Sequence, residues 1–376
     1  MRIPMLVSIM TFWGCGILST TTTAQDYPEA IQEDGDITLN IPYLEVEDEE
    51  GETLAYAIEL FSPAGSGLTF QLDEQSILEV AENQPEAIEG DGACSMTADA
   101  QSNACEAGVK DDFFITMANC FNYSNPEVRE ECLEDAHAER EEGFAECDDI
   151  EEAHEQLCEI FGEDPYDPQI DPATFISVAD IANNPNPFFP LIPGNEWVYE
   201  AEDEIITVTV LKETREIMGV EAIVVRDVAE EDEELVEDTF DWYAQDIAGN
   251  VWYMGELSRN YEDGELADIE GSWEAGVDGA KPGILFRAMP IVGETLRQEY
   301  RIGEAEDIGF TETLTANEST ESGFACENTC LQTLEATPLE PDVSEAKYYL
   351  PGTGHILTID LEEDSREELV SFTPGN

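Results

Sequence analysis

Basic residues are nearly absent from this sequence. The 376-residue chain holds 14 Lys and Arg against 88 Asp and Glu, a formal net charge of −74, and its lysines are only Lys110, Lys212, Lys281 and Lys347. Nucleic-acid backbones and anionic lipid surfaces are gripped by clustered Lys and Arg, so neither is expected as a direct partner. Histidine is as rare, with His137, His154 and His355 alone. There is no Gly-x-Ser-x-Gly elbow, no His-Glu-x-x-His and no phosphate loop. Cys-x2-Cys is missing, which speaks against a structural zinc site and against thiol-redox chemistry. Beyond the first two dozen residues no stretch approaches the ~20 apolar residues that a helix needs to span a bilayer.

Apolar residues are nevertheless plentiful. Hydrophobic content is 42% and aromatic content 9%, enough for a packed core and too much for a wholly disordered acidic chain. Acid excess with so little lysine resembles proteins of salt-adapted bacteria, whose surfaces rely on salt to screen self-repulsion over a Debye length of about 3 Å at 1 M. At the N-terminus, Arg2 precedes the apolar run Ile3 to Trp13, and a polar tract Ser19–Ala24 follows. This pattern reads as a signal peptide over residues 1–24, cleaved after Ala24. Gly14-Cys15 resembles a bacterial lipoprotein cleavage point, so the address is extracytoplasmic, secreted or periplasmic, with lipidation at Cys15 as the alternative.

Setting Cys15 aside leaves eight cysteines, an even number suited to an oxidising compartment. Cys94, Cys105, Cys120, Cys132, Cys147 and Cys158 are separated by 11, 15, 12, 15 and 11 residues, a palindrome. Both limbs of an antiparallel helical hairpin rise about 1.5 Å per residue, so mirrored separations stay level. Eleven residues are about three turns and fifteen about four, which puts each limb's cysteines near one stripe. The spacing predicts nested disulfides Cys94–Cys158, Cys105–Cys147 and Cys120–Cys132. In spacing alone this resembles twin-cysteine helical hairpins, a likeness that carries no activity. Asn125-Pro126-Glu127 supplies an N-cap, a Pro at the first helical position and an early acid for the second limb. Cys326 and Cys330 are expected to close a small loop.

The organisation expected is α+β. A short N-terminal β segment covers residues 25–85, and the stapled hairpin 94–161. A Pro/Asp-rich linker over 162–187 leads to an antiparallel β meander over 188–373, folded as an open barrel, a curved sheet or a sandwich. Within it, Phe188-Phe189-Pro190-Leu191-Ile192-Pro193-Gly194-Asn195-Glu196-Trp197 resembles the entry motif of β-rich exported bacterial proteins of the secreted and lipoprotein type. Tyr348-Tyr349-Leu350-Pro351-Gly352-Thr353-Gly354-His355 resembles their closing strand-turn-strand. That resemblance implies fold and export, not activity.

Candidate chemistry is sparse. Asp164, Asp167 and Asp171 in the proline-rich connector offer oxygens for a hard cation such as Ca2+, against the simpler use as a solvated linker. Trp242 and Trp252 are candidates for a ligand-stacking platform, although alternation along a strand sends half of such aromatics into the core. His137 and His154 are expected to face solvent or pair with neighbouring Glu. His355 is a conceivable general base with no nucleophile implied beside it. No catalytic residue is assigned. The function expected is a non-enzymatic binding or structural module of the bacterial cell envelope, its partner an envelope protein or a small ligand. The alternatives are an extracellular hydrolase of polysaccharide or ester, and calcium-dependent adhesion or assembly.

Overall fold

The computed structural model describes residues 88, 90, 92–202, 204–232, 234–262 and 264–375 fully, and before them only the backbone pairing of seven short strands. Residues 1–87 and 88–376 form two compact units. In the first, strands Glu29–Glu33, Asp36–Glu47, Thr53–Ser62 and Gln71–Leu72 make an antiparallel sheet in that order, with Leu78–Glu79 also on Thr53–Ser62. Phe12–Trp13 pairs with Gly16–Ile17. Cys15 and the rest of the expected signal peptide lie outside the described residues.

The second unit begins with helices α1 (Ala93–Phe121) and α2 (Pro126–Phe161). The Asn125 side chain accepts the Glu127 N–H at 3.0 Å and Pro126 opens α2, so the local chemistry that starts the helix is in place. Disulfides join Cys94 to Cys158, Cys105 to Cys147 and Cys120 to Cys132, with Cα separations of 5.6, 5.8 and 5.6 Å. Apart from the cysteines, few hydrophobic side chains are buried between the limbs: Ala98, Phe113, Ala136 and Leu157. Gly143 interrupts a run of good helix formers because Val109 of α1 leans on it. A Cβ there would lie 3.0 Å from a Val109 methyl. The chain leaving α2 returns to cap α1, Glu163 accepting from the N–H groups of Ala93 and Ser95.

The rest is one large antiparallel sheet. Its path strands are β1 (Glu196–Ala201), β2 (Glu204–Ile217), β3 (Val220–Glu231), β4 (Glu234–Gln245), β5 (Val251–Leu257), β6 (Lys281–Phe286), β7 (Thr295–Arg297), β8 (Glu299–Tyr300), β9 (Ile308–Ala316), β10 (Cys330–Ala336), β11 (Ser344–Leu350), β12 (Gly354–Asp360) and β13 (Arg366–Thr373). The spatial order is β7-β9-β10-β11-β12-β13-β1-β2-β3-β4-β5-β6-β8. The two path ends, β7 and β8, are consecutive pieces of one segment, Thr295–Tyr300. Its first half pairs with β9 and its second with β6. The meander therefore curls into a nearly closed barrel with this segment as its seam, which removes the exposed edges an open sheet would offer. Closure needs a glycine at 283, where a Cβ would sit 2.2 Å from the Gln298 carbonyl oxygen.

One end of the barrel is stoppered by the strap that enters β1. Phe189 stacks on Phe286 at 5.4 Å and meets Tyr243 edge-on at 5.0 Å, and Leu191 is fully buried. Asn186 holds the strap in place, accepting from the Phe188 N–H and donating to the carbonyls of Gly249 and Arg287. The void left there is only about 40 Å3. The apolar half of the barrel is a filled core.

Candidate functional site at the mouth of the barrel

The other end is lined by acids. Register and pleat decide which residues point inward. Val225 of β3 lies opposite Asp241, Asp227 opposite Thr239 and Ala229 opposite Glu237. Asp241 in turn faces Glu256 of β5. Across the barrel, Glu335 of β10 faces Glu345 of β11, Thr333 faces Lys347, Lys347 faces Thr358 of β12, and Thr358 faces Glu367 of β13. Because side chains alternate, these residues and Glu204 share the inner face. A cleft of about 450 Å3 opens among Glu204, Glu231, Glu345, Thr358, Asp360 and Glu367, with Arg366 at its rim. Arg366 is held by Glu368 at 2.7 Å. Lys347 is the cation set among the inner carboxylates, 3.2 Å from Glu335 and 3.0 Å from Glu345.

Dehydration of the wall, and after it the crowding of like charges, governs the titration of this site. Burial raises Asp241 to about 6, against a 2.5 Å hydrogen bond donated by the Tyr253 hydroxyl. Burial, then the Asp241 charge, holds Glu256 and Asp227 well above the usual carboxylate range. Burial, then Asp307, does the same to Glu299. Glu367 is raised by burial to about 7, Lys347 opposing. Glu335 goes the other way. Burial would lift it, but Lys347 and the hydroxyls of Thr333 and Tyr349 outweigh that and hold it low. Trp273, 3% exposed, stands edge-on to Tyr253.

His355 lies in the same wall, between the rings of Tyr199 and Tyr349. Burial, then Lys347, lowers it to about 3, so it is neutral. Its Nε2 is 2.9 Å from the Thr358 hydroxyl and its Nδ1 is 3.7 Å from Glu367. Thr358 is the hydroxyl beside His355 that the sequence did not signal.

These shifts predict the pH dependence of stability. Asp241 and Glu367 bind protons more tightly folded than unfolded. Their contribution is full below the ordinary carboxylate pKa and is lost as pH rises through about 6 and about 7. His355 acts oppositely, its contribution present above 6.5 and lost as pH falls toward about 3. Between pH ~8 and ~5.5 the three together favour the acid side by about 1 kcal/mol, and the other raised carboxylates add to it. Chemical denaturation is expected to show greater stability at the lower pH. A stability that falls steadily over that interval would mean these carboxylates are hydrated and ordinary.

The structure separates the residues singled out from sequence. Asp164 is exposed beside the hairpin root, Asp167 pairs with Lys281 at 3.2 Å, and Asp171 caps the N–H of Ala173 at 3.0 Å. Among the described residues no group of three His, Cys, Asp or Glu side chains is placed to hold a metal ion. Trp242 and Trp252 both point out of the barrel. Arg215 covers Trp242 at 3.9 Å and Phe175 meets Trp252 edge-on, while Tyr243 and Tyr253 stack inside at 4.6 Å. Cys326 and Cys330 are bonded. His137 is exposed. His154 departs from expectation: it is 6% exposed, and its partner is Glu306 of the barrel at 3.3 Å, because the hairpin root packs on the barrel seam. None of the described helices is long and apolar enough to cross a membrane. Four disulfide bonds are a covalent pattern of proteins that fold outside a reducing cytoplasm. No family model, no curated protein and no solved structure matches the chain.

Proposed function

We propose that this is an exported, non-enzymatic binding module of the bacterial cell envelope, with the acidic barrel mouth as its ligand site. The observation that carries the reading is the open cleft lined by Glu204, Glu231, Glu345, Asp360 and Glu367, with Arg366 at its rim and Lys347 held behind it between Glu335 and Glu345. The carboxylates are spread around the wall and do not converge on a point. A ligand with several separated positive charges, such as a polyamine, suits that spacing better than a single metal ion. The filled apolar half argues against carriage of a lipid or other greasy ligand.

Isothermal titration with spermidine tests this. Binding is expected to be saturable, and to weaken about tenfold in the rim variant Glu204→Gln/Glu231→Gln. The hairpin variant Glu141→Gln/Glu142→Gln should bind like the parent. Equal weakening in both, or equal displacement by magnesium, would mean general counterion condensation and would remove the reading.

The hydrolase reading keeps one specific observation, the Thr358–His355–Glu367 alignment, which has the order of a nucleophile, base and orienting acid. A base held near 3 is a poor proton acceptor at neutral pH, so binding remains the preferred function. Turnover of model esters that disappears in Thr358→Ala would reverse that preference.

Salt adaptation follows from the same charge. The melting temperature is expected to rise by several degrees from dilute buffer to molar NaCl as the surface is screened. An unchanged midpoint would mark the protein as merely acidic.

A further inference from the structure

A second cavity, of about 180 Å3, lies where the hairpin root meets the barrel seam. Its polar groups are mostly committed. Glu306 accepts from the Gly303 N–H at 2.8 Å and from Gln101 at 2.5 Å, and His154 stands 3.3 Å away. Lys281 is paired with Asp167. Asp164 and Arg297 are the exceptions, and Glu306 is the carboxylate whose charge acts on Arg297. The Arg297 guanidinium lies 4.3 Å from the ring of Phe161, with Tyr300 and Tyr166 at 5.2 and 5.4 Å. Among the described residues it makes no side-chain hydrogen bond and no ion pair. An arginine fork carries five N–H donors arranged for a carboxylate. Here three aromatic rings lie around the guanidinium and no carboxylate forks onto it, in a chain with 88 carboxylates of its own. The rest of the lining is mixed: Thr97 and Asp164 are polar, and Leu157, the ring of Tyr300 and the Cys94–Cys158 disulfide form an apolar strip.

We propose that this cavity binds a small organic carboxylate, its head group on Arg297 and its short apolar tail against Tyr300 and Leu157. One unpaired cation beside Glu306 and Asp164 suits a monoanion and disfavours phosphate or sulfate, whose second charge would meet those acids. The volume matches roughly six waters at ~30 Å3 each, the scale of butyrate or benzoate. The site is separate from the barrel mouth and does not depend on what binds there.

The test is titration of the isotope-labelled full chain with butyrate, benzoate and phosphate in molar NaCl, which screens the acidic surface. The Arg297 Nε–H signal is followed by NMR. Saturable movement with butyrate or benzoate, and little with phosphate, is the expected result. Arg297→Gln should weaken the binding about tenfold or more, and Arg297→Lys, which keeps the charge and loses the fork, should restore only part of it. No saturation in the parent protein at tens of millimolar overturns the proposal whether or not the variants fold. Phosphate binding as tightly as butyrate overturns it too, by reducing the site to a plain oxyanion contact.

Discussion

Replacing Lys347 by methionine is expected to destabilise the barrel by about 3 kcal/mol, the usual scale for removing one partner of a buried ion pair. The side chain is 27% exposed, and its ammonium lies between Glu335 and Glu345. Burial alone would make that ammonium easier to deprotonate, yet the two carboxylates hold its pKa well above the ordinary lysine value. Without it, Glu335, 12% exposed, keeps only the hydroxyls of Thr333 and Tyr349. The cost comes from stranded charge and not from lost packing, since methionine fills similar space. Two further measurements separate those causes. The deficit should narrow at mildly acidic pH, where a stranded carboxylate takes up a proton. The double variant Lys347→Met/Glu335→Gln should recover most of the loss, because the amide still accepts from both hydroxyls. An unchanged denaturation midpoint in Lys347→Met would show that water reaches Glu335 and Glu345 well enough to replace the lysine.

Replacing the six hairpin cysteines by serine is expected to melt α1 and α2 in dilute buffer while leaving the barrel folded. Fifteen of the 33 residues from Glu127 to Glu159 are acidic. Pairs such as Glu130 and Glu134, or Glu142 and Glu146, repel at i,i+4 by a few tenths of a kcal/mol each. The apolar side chains buried between the limbs are too few to offset that repulsion. The covalent ladder supplies what packing does not. Its outermost bond spans 64 residues, worth about 4 kcal/mol of unfolded-state entropy in the loop-closure model. The inner bonds add less, because each shortens a loop already closed. Far-UV circular dichroism should lose the helical contribution of both helices, and molar salt should restore part of it. A helical signal indifferent to the six substitutions would show that contacts at the root, His154 to Glu306 among them, suffice to hold the hairpin.

The two halves of the molecule were unequally legible. In the hairpin the information is local and covalent. Cysteines at mirrored separations stay level in an antiparallel hairpin, separations of about three and four whole turns fit helical limbs, and Asn125-Pro126 marks where the second limb begins. In the barrel, period-two patterning showed the strands but not which face is enclosed. Glu237, Thr239 and Asp241 alternate with Asp238, Phe240 and Trp242, and nothing local marks which set is enclosed. The barrel encloses the acidic set. Trp242 lies outside beneath Arg215, while Asp241 lies inside beside Glu256. The choice follows from closure and register, properties of the whole sheet. The candidate site was missed for the same reason: with 88 acids along the chain, the few that meet in the barrel mouth have no local mark.

Composition, cysteine spacing and strand periodicity thus determined the charge, the helical staple and the β meander, because each depends on residues within a few turns or on a count. Tertiary structure decided that one segment, Thr295–Tyr300, closes the sheet, that an aromatic strap fills one end and carboxylates line the other, and that Arg297 lines a cavity at the hairpin root. Those outcomes come from pairings between strands far apart in sequence, where a single step of register moves every side chain to the opposite face.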